Sequence, residues 1–237
     1  MTRKIPPIVL NLLIINGLFF LATYVLGSSM SIDLNKILGL HYFDSSLFEP
    51  YQIITSMFCH GNLTHLLFNM FALWMFGTVI EHKMGSVNFL KFYLLCGLGA
   101  TALHMGVQAF EVYNITESFT NNFTISSSSI NFHEVFSEEN KNILAQVYLG
   151  GAVGASGALY GMLIAFGMFF PEEKLMLIFL PMLPIKAKYF IPAMIAIDFY
   201  LGLANYSWDP IAHYAHLGGA LFGFLLIKFW FQKRSHA

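Results

Sequence analysis

The chain has 237 residues, of which 57% are hydrophobic and only 11% are charged. Soluble domains average roughly 25% charged residues, so this composition excludes an ordinary soluble enzyme and indicates a protein embedded in lipid. The formal net charge is −1 and no basic cluster occurs, which argues against a nucleic-acid-binding protein. The two cysteines, Cys59 and Cys96, are too few for a disulfide framework and are interpreted as packing residues.

Apolar runs of about 18 or more residues can cross a hydrocarbon core of roughly 30 Å as helices. Six such runs occur, at residues 7–27, 63–80, 89–110, 148–170, 187–205 and 211–231. A shorter apolar stretch at 175–183 contains Pro181, is followed by Pro184, and is predicted to form an interfacial turn. The predicted fold is therefore an all-α membrane protein, a six-transmembrane-helix bundle forming a single domain over residues 1–237.

Positive charges near the ends of spans resist translocation and so indicate orientation. If the N-terminus is cytoplasmic, only Lys36 and Lys141 of the twelve Lys and Arg residues lie outside. Both termini are therefore predicted to be cytoplasmic. The first run is longer than a signal-peptide core and lacks a small-residue cleavage site, so a retained helix is expected.

Two hydrophilic stretches lie outside in this topology. The first, at about 28–59, contains aromatic and aliphatic residues and is expected to pack on the helices or lie in the interface. The second, at about 112–146, is polar and resembles a mobile surface loop.

Polar side chains inside membrane helices are costly, so each one needs a reason to be there. The first polar cluster, at the start of the second span, contains His60, His65 and Asn69. His65 and Asn69 are four residues apart and therefore share one helical face. The second cluster lies in the glycine-rich fourth span and places Ser156 and Tyr160 one turn apart.

The third cluster surrounds His216 in the sixth span, with Gly219 on the same helical face. Small residues allow the backbones of neighbouring helices to approach closely in lipid. Spans two, four and six all enter from outside. At about 1.5 Å per residue, Ser156 lies roughly 12 Å below Tyr148 and His216 about 8 Å below Ile211. Because these depths match, the hydroxyl and the imidazole are expected to meet.

These are the parts of an acyl-transfer site. A serine becomes a nucleophile when a base lies within about 2.6–3.2 Å, and fixed donors must stabilise the oxyanion. We interpret Ser156 as the nucleophile and His216 as the general base. His60, Asn69 and the backbone N–H of Ser156 are candidate oxyanion donors, and Tyr160 could stack on His216. The three clusters contain no acidic residue at that depth, so a Ser–His dyad is predicted.

The motifs His-x4-His-x3-Asn, Gly-x-Ser-Gly and Ala-His-x-x-Gly, spread over spans two, four and six, resemble the rhomboid family of intramembrane serine proteases. The resemblance implies cleavage of single-pass transmembrane proteins near the outer face of the bilayer, with no cofactor and no metal. It also implies a multi-pass protein in the plasma membrane of a bacterium, with its active site toward the outside. The site residues that it implies are a dyad of Ser156 and His216, oxyanion stabilisers His60 and Asn69, and supporting residues His65, Gly154 and Tyr160.

Other interpretations stay open at this point. Relatives often carry a Trp-Arg pair in the first outer loop, where this chain has Tyr51-Gln52. Asp198, His104 and His213 are interpreted as structural or interfacial residues. A non-catalytic rhomboid-like binder of transmembrane clients would typically lose the serine or the histidine. A small transporter or proton channel would be expected to show internal repeats or paired acidic relays.

Overall fold

The computed structural model describes residues 4–125, 129–132, 135–177, 180–204 and 211–231. Parts of the predicted outer loop at 112–146, and the predicted end of the fifth span at Asn205, lie outside these ranges. Within them the chain is mostly helical. The elements in chain order are α1 (Pro7–Met30), α2 (Leu34–Leu38), α3 (Gln52–Thr55), a 3-10 turn (Ser56–Phe58), α4 (Leu63–Ala72), a π-helical turn (Leu73–Gly77), α5 (Thr78–Met84), α6 (Ser86–Thr116), β1 (Thr124–Ile125), β2 (Ile130–Asn131), α7 (Glu138–Leu149), α8 (Ser156–Phe169), β3 (Lys174–Leu177), β4 (Leu180–Lys186), α9 (Ala187–Ala204), α10 (His213–Leu226) and a second π-helical turn (Ile227–Phe231).

Four helices in the described ranges are long and apolar enough to cross a membrane. They are Pro7–Met30, Leu63–Met84, Ser86–Thr116 and Ala187–Ala204. The apolar helix α8 has only 14 residues, which is about 21 Å at 1.5 Å per residue and shorter than a hydrocarbon core. α10 also has 14 residues before its π-helical extension. Four of the six predicted spans thus coincide with full-length helices.

The fourth predicted span, at residues 148–170, is not one continuous helix. α7 ends at Leu149, and α8 begins only at Ser156. Between them, Ala152 forms an antiparallel bridge with Leu40, with hydrogen bonds of 2.9 Å in both directions. Gly154 has a φ of +133°, a conformation that side-chain-bearing residues rarely adopt. Hydropathy did not reveal this break because the interrupting residues are small and apolar.

A glycine-lined interface brings α6, α8 and α10 together. A Cβ on Gly219 would collide with the backbone of Gly157, and one on Gly223 would collide with the backbone of Gly161. A Cβ on Gly218 would likewise meet the backbone of α6. Because these glycines carry no side chain, the backbone of α10 lies in direct contact with the backbones of α8 and α6. Close packing of this kind is the main source of helix association where lipid replaces water.

Glu81 ties the start of α1 to the junction of α5 and α6. Its carboxylate accepts hydrogen bonds from the backbone N–H groups of Ile8 (3.1 Å) and Val9 (2.8 Å), and from Ser86 Oγ (2.6 Å). α1 begins after Pro6 with no side-chain cap of its own. The distant carboxylate therefore satisfies amides that the first turn of a helix leaves unpaired, and its negative charge complements the helix dipole.

The second long helix contains a wide turn. α4 and α5 are joined without a break by the π-helical turn Leu73–Gly77. Leu73 and Phe76 of this turn are buried in the main hydrophobic core. The Phe76 ring meets Phe166 of α8 edge to face at 5.1 Å. The wide turn is thus packed into the interior.

The described parts of two segments predicted as irregular take part in packing or in strand pairing. The described part of the outer region 112–146 contributes to a second hydrophobic cluster, which also includes the first outer loop. The buried members of this cluster are Tyr42, Val112, Leu144, Val147 and Tyr148. In the described part of the stretch predicted as an interfacial turn, β3 pairs antiparallel with β4, and Lys174 lies opposite Lys186.

Gln52 holds the first outer loop in place. Its Nε2 donates to the carbonyl oxygens of Ile37 (3.0 Å) and Leu47 (2.9 Å), and its Oε1 accepts from the His41 amide (3.3 Å). The side chain is only 1% exposed. The amide of Gln52 therefore anchors the loop at the position where the sequence departs from a Trp-Arg pair.

The Gln52→Ala variant is expected to lower the free energy of unfolding by about 2–4 kcal/mol, because it leaves two carbonyls and one amide in the loop without their partner. The measurement is thermal unfolding in detergent micelles. Ile54→Ala, a change at an exposed position of the same short helix, is the matched control. Equal losses in both variants would contradict an anchoring role for Gln52.

Candidate active site

Ser156 and His216 lie in direct contact. Ser156 is the first residue of α8, and His216 lies in the first turn of α10. His216 Nε2 is 2.8 Å from Ser156 Oγ, a hydrogen-bond distance. The Tyr160 ring stacks on the His216 imidazole, with centroids 4.2 Å apart and planes 11° apart. The structure therefore brings together the three residues that the motifs of spans four and six single out.

The position of Ser156 at the start of α8 also supplies backbone donors. The first amides of an α-helix have no partner within the helix, and they lie at the positive end of its dipole. Gly154 precedes the serine, and its amide donates to the Ser56 carbonyl at 2.9 Å. A Cβ on Gly154 would come within 2.9 Å of the His65 ring and 3.5 Å of Ser156 Oγ. Gly154 thus allows the His65 ring to lie against the serine turn.

His60 and Asn69 lie on the α4 side of the site. The His60 ring meets His65 edge to face, with centroids 5.0 Å apart, and is almost fully buried. Burial and the neighbouring His65 lower the pKa of His60 to about 4, so its imidazole is neutral near pH 7. Among the described residues, Asn69 Nδ2 is buried without a hydrogen-bond partner. His60 thus packs against His65, and Asn69 carries an unused donor.

Asp198 of α9 also reaches this site, which the sequence did not predict. Its Oδ1 is 2.7 Å from His213 Nδ1 and 3.4 Å from His216 Nδ1, and its Oδ2 is 3.3 Å from His216 Nδ1. Tyr160 interacts electrostatically with the same carboxylate. The predicted absence of an acidic residue at the depth of the dyad concerned only the three polar clusters, and Asp198 lies outside them. An acidic residue in an apolar span costs free energy, so its presence there was the sequence signal that could have identified Asp198 as a site residue.

Two cavities adjoin these residues. The larger, of about 400 Å³, is lined by His104, Gln108, Glu111 and His213 among others. A smaller cavity, lined in part by Ser156, shares His104 with the larger one. The space beside Ser156 is therefore close to the larger, polar cavity. His104 and His213, which the sequence analysis interpreted as structural or interfacial, line that larger cavity.

One group among the described residues could hold a metal ion. The ligand atoms of Asp198, His213 and His216 all lie within 4.8 Å of one another. The Asp198 carboxylate lies 2.7 Å from His213 Nδ1 and 3.3 Å from His216 Nδ1. The other ring nitrogen of His216, Nε2, is hydrogen-bonded to Ser156. The three side chains thus satisfy one another as an acid–histidine network.

A family model of the Rhomboid domain matches residues 47–233. Curated relatives include presenilin-associated rhomboid-like protein A, mitochondrial, of Danio rerio, which is 29% identical over 77% of this chain and 42% of its own length. The Bos taurus presenilin-associated rhomboid-like protein, mitochondrial, is 30% identical over 78% of this chain and 43% of its own length. Rhomboid protein 1, mitochondrial, of Saccharomyces cerevisiae is 27% identical over 73% and 40%. The chain spans about two fifths of the length of these relatives.

These comparisons correct the predicted location. The relatives are named as mitochondrial proteins, so the prediction of a bacterial plasma membrane is wrong. The multi-pass membrane character is supported. The region matched by the family model covers more than half of the chain and contains Ser156 and His216. The chain therefore belongs to the rhomboid family.

Proposed function

We propose that the chain is an intramembrane serine endopeptidase that cleaves single-pass transmembrane proteins near one face of the bilayer. The observation that carries the proposal is the 2.8 Å contact between Ser156 Oγ and His216 Nε2. Membership of the rhomboid family, whose members are typically intramembrane serine proteases, supports the same activity. The substrates are proposed from the family and from the depth of the serine in an apolar bundle.

In the proposed reaction Ser156 Oγ attacks the carbonyl carbon of the scissile peptide bond, and His216 Nε2 accepts the hydroxyl proton. The tetrahedral oxyanion is stabilised by the Ser156 backbone N–H and by the side chains of Asn69 and His60. His216 then gives its proton to the leaving amine as the C–N bond breaks. A water molecule, deprotonated by the same imidazole, hydrolyses the acyl-enzyme and restores the serine.

We further propose that six segments cross the membrane and that both termini lie on the same side, within a single domain. The short length of α8 supports a recessed site. If its C-terminal end reaches the surface on the side of the termini, its 14 residues cover about 21 Å of a core of roughly 30 Å. Ser156 then lies roughly 10 Å below the opposite surface. Substrate helices would have to unwind locally to present a peptide bond at that depth.

The alternative of a non-catalytic binder of transmembrane clients is less well supported. Such a protein needs neither a nucleophile nor a base. Here the serine hydroxyl and the imidazole are both present, and their hydrogen bond is of the length that proton transfer requires. Binding alone would give no reason for this pairing.

The test combines cleavage with chemical labelling of the purified protein. A panel of transmembrane peptides is incubated with the protein, and products are identified by mass spectrometry. A fluorophosphonate probe should label Ser156 in the wild type and should fail to label it in His216→Ala, because the hydroxyl then lacks its base. His82→Ala, a change at an exposed histidine in α5, is the matched control and should label normally. Equal labelling of His216→Ala and the wild type would remove His216 from the role of base.

A further inference from the structure

We propose that Asp198 is a positioning residue for His216, so that the proposed protease works with a Ser156–His216–Asp198 relay rather than with a dyad alone. This inference rests on the proposed function. The three side chains come from α8, α10 and α9, respectively. The relay contact between Ser156 Oγ and His216 Nε2 is 2.8 Å. His216 Nδ1 lies 3.4 Å from Asp198 Oδ1 and 3.3 Å from Asp198 Oδ2.

The two contacts engage opposite nitrogens of the His216 ring. A neutral imidazole carries its proton on one nitrogen and a lone pair on the other. Only the form protonated at Nδ1 can donate to the Asp198 carboxylate and also offer the Nε2 lone pair to the Ser156 proton. The carboxylate therefore selects the form of His216 that can act as a base, and it lies where it can stabilise the imidazolium formed during the reaction.

The Asp198 carboxylate is itself held in a fixed orientation. It is 6% exposed, and its Oδ1 lies 2.7 Å from His213 Nδ1. The same Oδ1 also lies 3.4 Å from His216 Nδ1, and Oδ2, which has no hydrogen-bond partner among the described residues, lies 3.3 Å from that nitrogen. A buried carboxylate with an under-used oxygen is costly unless a positive charge develops beside it. The imidazolium of His216 is such a charge.

The surroundings of His216 support this role for the carboxylate. Tyr160 of α8 stacks on the ring, while His65 of α4 and His104 of α6 are its electrostatic neighbours. His213 is bound to the same carboxylate within α10. The groups that face His216 are thus neutral or basic, apart from Asp198. Among these neighbours, Asp198 is therefore the one anion that can interact with the His216 ring.

A purely structural role is the alternative, in which Asp198 only ties α9 to α10 through the shorter contact with His213. The two roles differ in what the isosteric change Asp198→Asn does. The amide oxygen of the asparagine would remain at the Oδ1 position as the acceptor for His213. The amide nitrogen would then take the Oδ2 position, which at 3.3 Å is the nearer of the two to His216 Nδ1, since Oδ1 lies 3.4 Å away. Two donors cannot face each other, so the His216 proton would move to Nε2 and the ring could no longer accept from Ser156.

The experiment compares the wild type, Asp198→Asn and His213→Gln in purified, folded form. Asp198→Asn is expected to lower kcat by about 10- to 1,000-fold with KM changed by less than about twofold, because substrate contacts remain. In protein with 15N-labelled histidine, the His216 spectrum should show Nδ1–H in the wild type and Nε2–H in Asp198→Asn. His213→Gln breaks the tie to α10 but leaves a carboxylate beside His216, so it should keep the Nδ1–H form.

Two results would overturn the relay. One is an Asp198→Asn variant that keeps the Nδ1–H form of His216 and the wild-type kcat, while the wild type cleaves and Ser156→Ala does not. The other is a shift of the His216 proton to Nε2 in His213→Gln to the same extent as in Asp198→Asn. The proton position is measured without substrate, so it decides on Asp198 even if the wild type cleaves none of the peptides. Failure of cleavage and of labelling would instead reject the proposed protease.

Discussion

Cleavage by the Ser156→Ala variant is expected to fall by at least about a thousandfold, below detection in a peptide assay, because the variant lacks the attacking hydroxyl. Only one oxygen atom is removed, at a half-buried position, so the fold should be retained. The assay follows product formation from a transmembrane peptide by mass spectrometry. Thermal unfolding in the same detergent checks that the variant is folded.

Ser28→Ala is a suitable control for this experiment. Ser28 is an exposed residue of α1 whose hydroxyl donates only to the Val25 carbonyl one turn earlier. Its removal should leave cleavage at the wild-type rate. Undiminished cleavage by Ser156→Ala would show that another nucleophile, or a contaminating protease, cuts the peptide. In that event the contact between Ser156 and His216 would have a structural purpose.

The Gly219→Ala variant is expected to lose both stability and activity, although it adds only a single methyl group. The new Cβ would overlap the backbone of Gly157, which is the residue directly after Ser156. The two helices must move apart, and overpacking of this kind costs about 1–3 kcal/mol. A displacement of about 1 Å at the reacting atoms can reduce the rate roughly a hundredfold. The 2.8 Å contact between Ser156 and His216 spans the same interface, so it should lengthen.

Gly106→Ala provides the same chemical change without the collision. Gly106 lies in α6, and no atom lies within 4 Å of the position that its Cβ would occupy. This control should keep wild-type cleavage and unfold at the same or a slightly higher temperature, since alanine favours a helix over glycine. Both variants are measured by thermal unfolding and by cleavage of one peptide. Wild-type behaviour of Gly219→Ala would mean that α8 and α10 are not in backbone contact.

The sequence was sufficient to predict the meeting of Ser156 and His216. Their motifs carry glycines that bring helices together, and the depths of the two residues could be compared by counting. It was not sufficient for Asp198. Its span runs in the opposite direction, and neither the rotation of that helix nor its neighbours can be read from hydropathy. An acidic residue in an apolar span was a visible signal, but its partner was not.

The break before α8 shows a different limit. Gly150, Gly151 and Gly154 count as apolar in a hydropathy sum, so the run from α7 into α8 looked continuous. Their ability to adopt non-helical backbone decided otherwise, with Ala152 pairing to Leu40. The break has a functional consequence, because it makes Ser156 the first residue of a helix. Within a longer helix, its backbone N–H would be engaged by a carbonyl four residues earlier.

The π-helical turn Leu73–Gly77 gives the second long helix two independent orientations. One residue more than an α-helix needs is accommodated there, which rotates everything that follows by about 100° about the axis. The half before the turn carries the buried Asn69, which is proposed as an oxyanion donor, while the half after it directs Glu81 toward the first amides of α1. Deletion of one residue from the turn would restore regular α-helical winding. Asn69 and Glu81 could then no longer both keep their present orientations. A single local change of helical pitch therefore allows one long helix to serve the proposed reaction at one end and the attachment of α1 at the other.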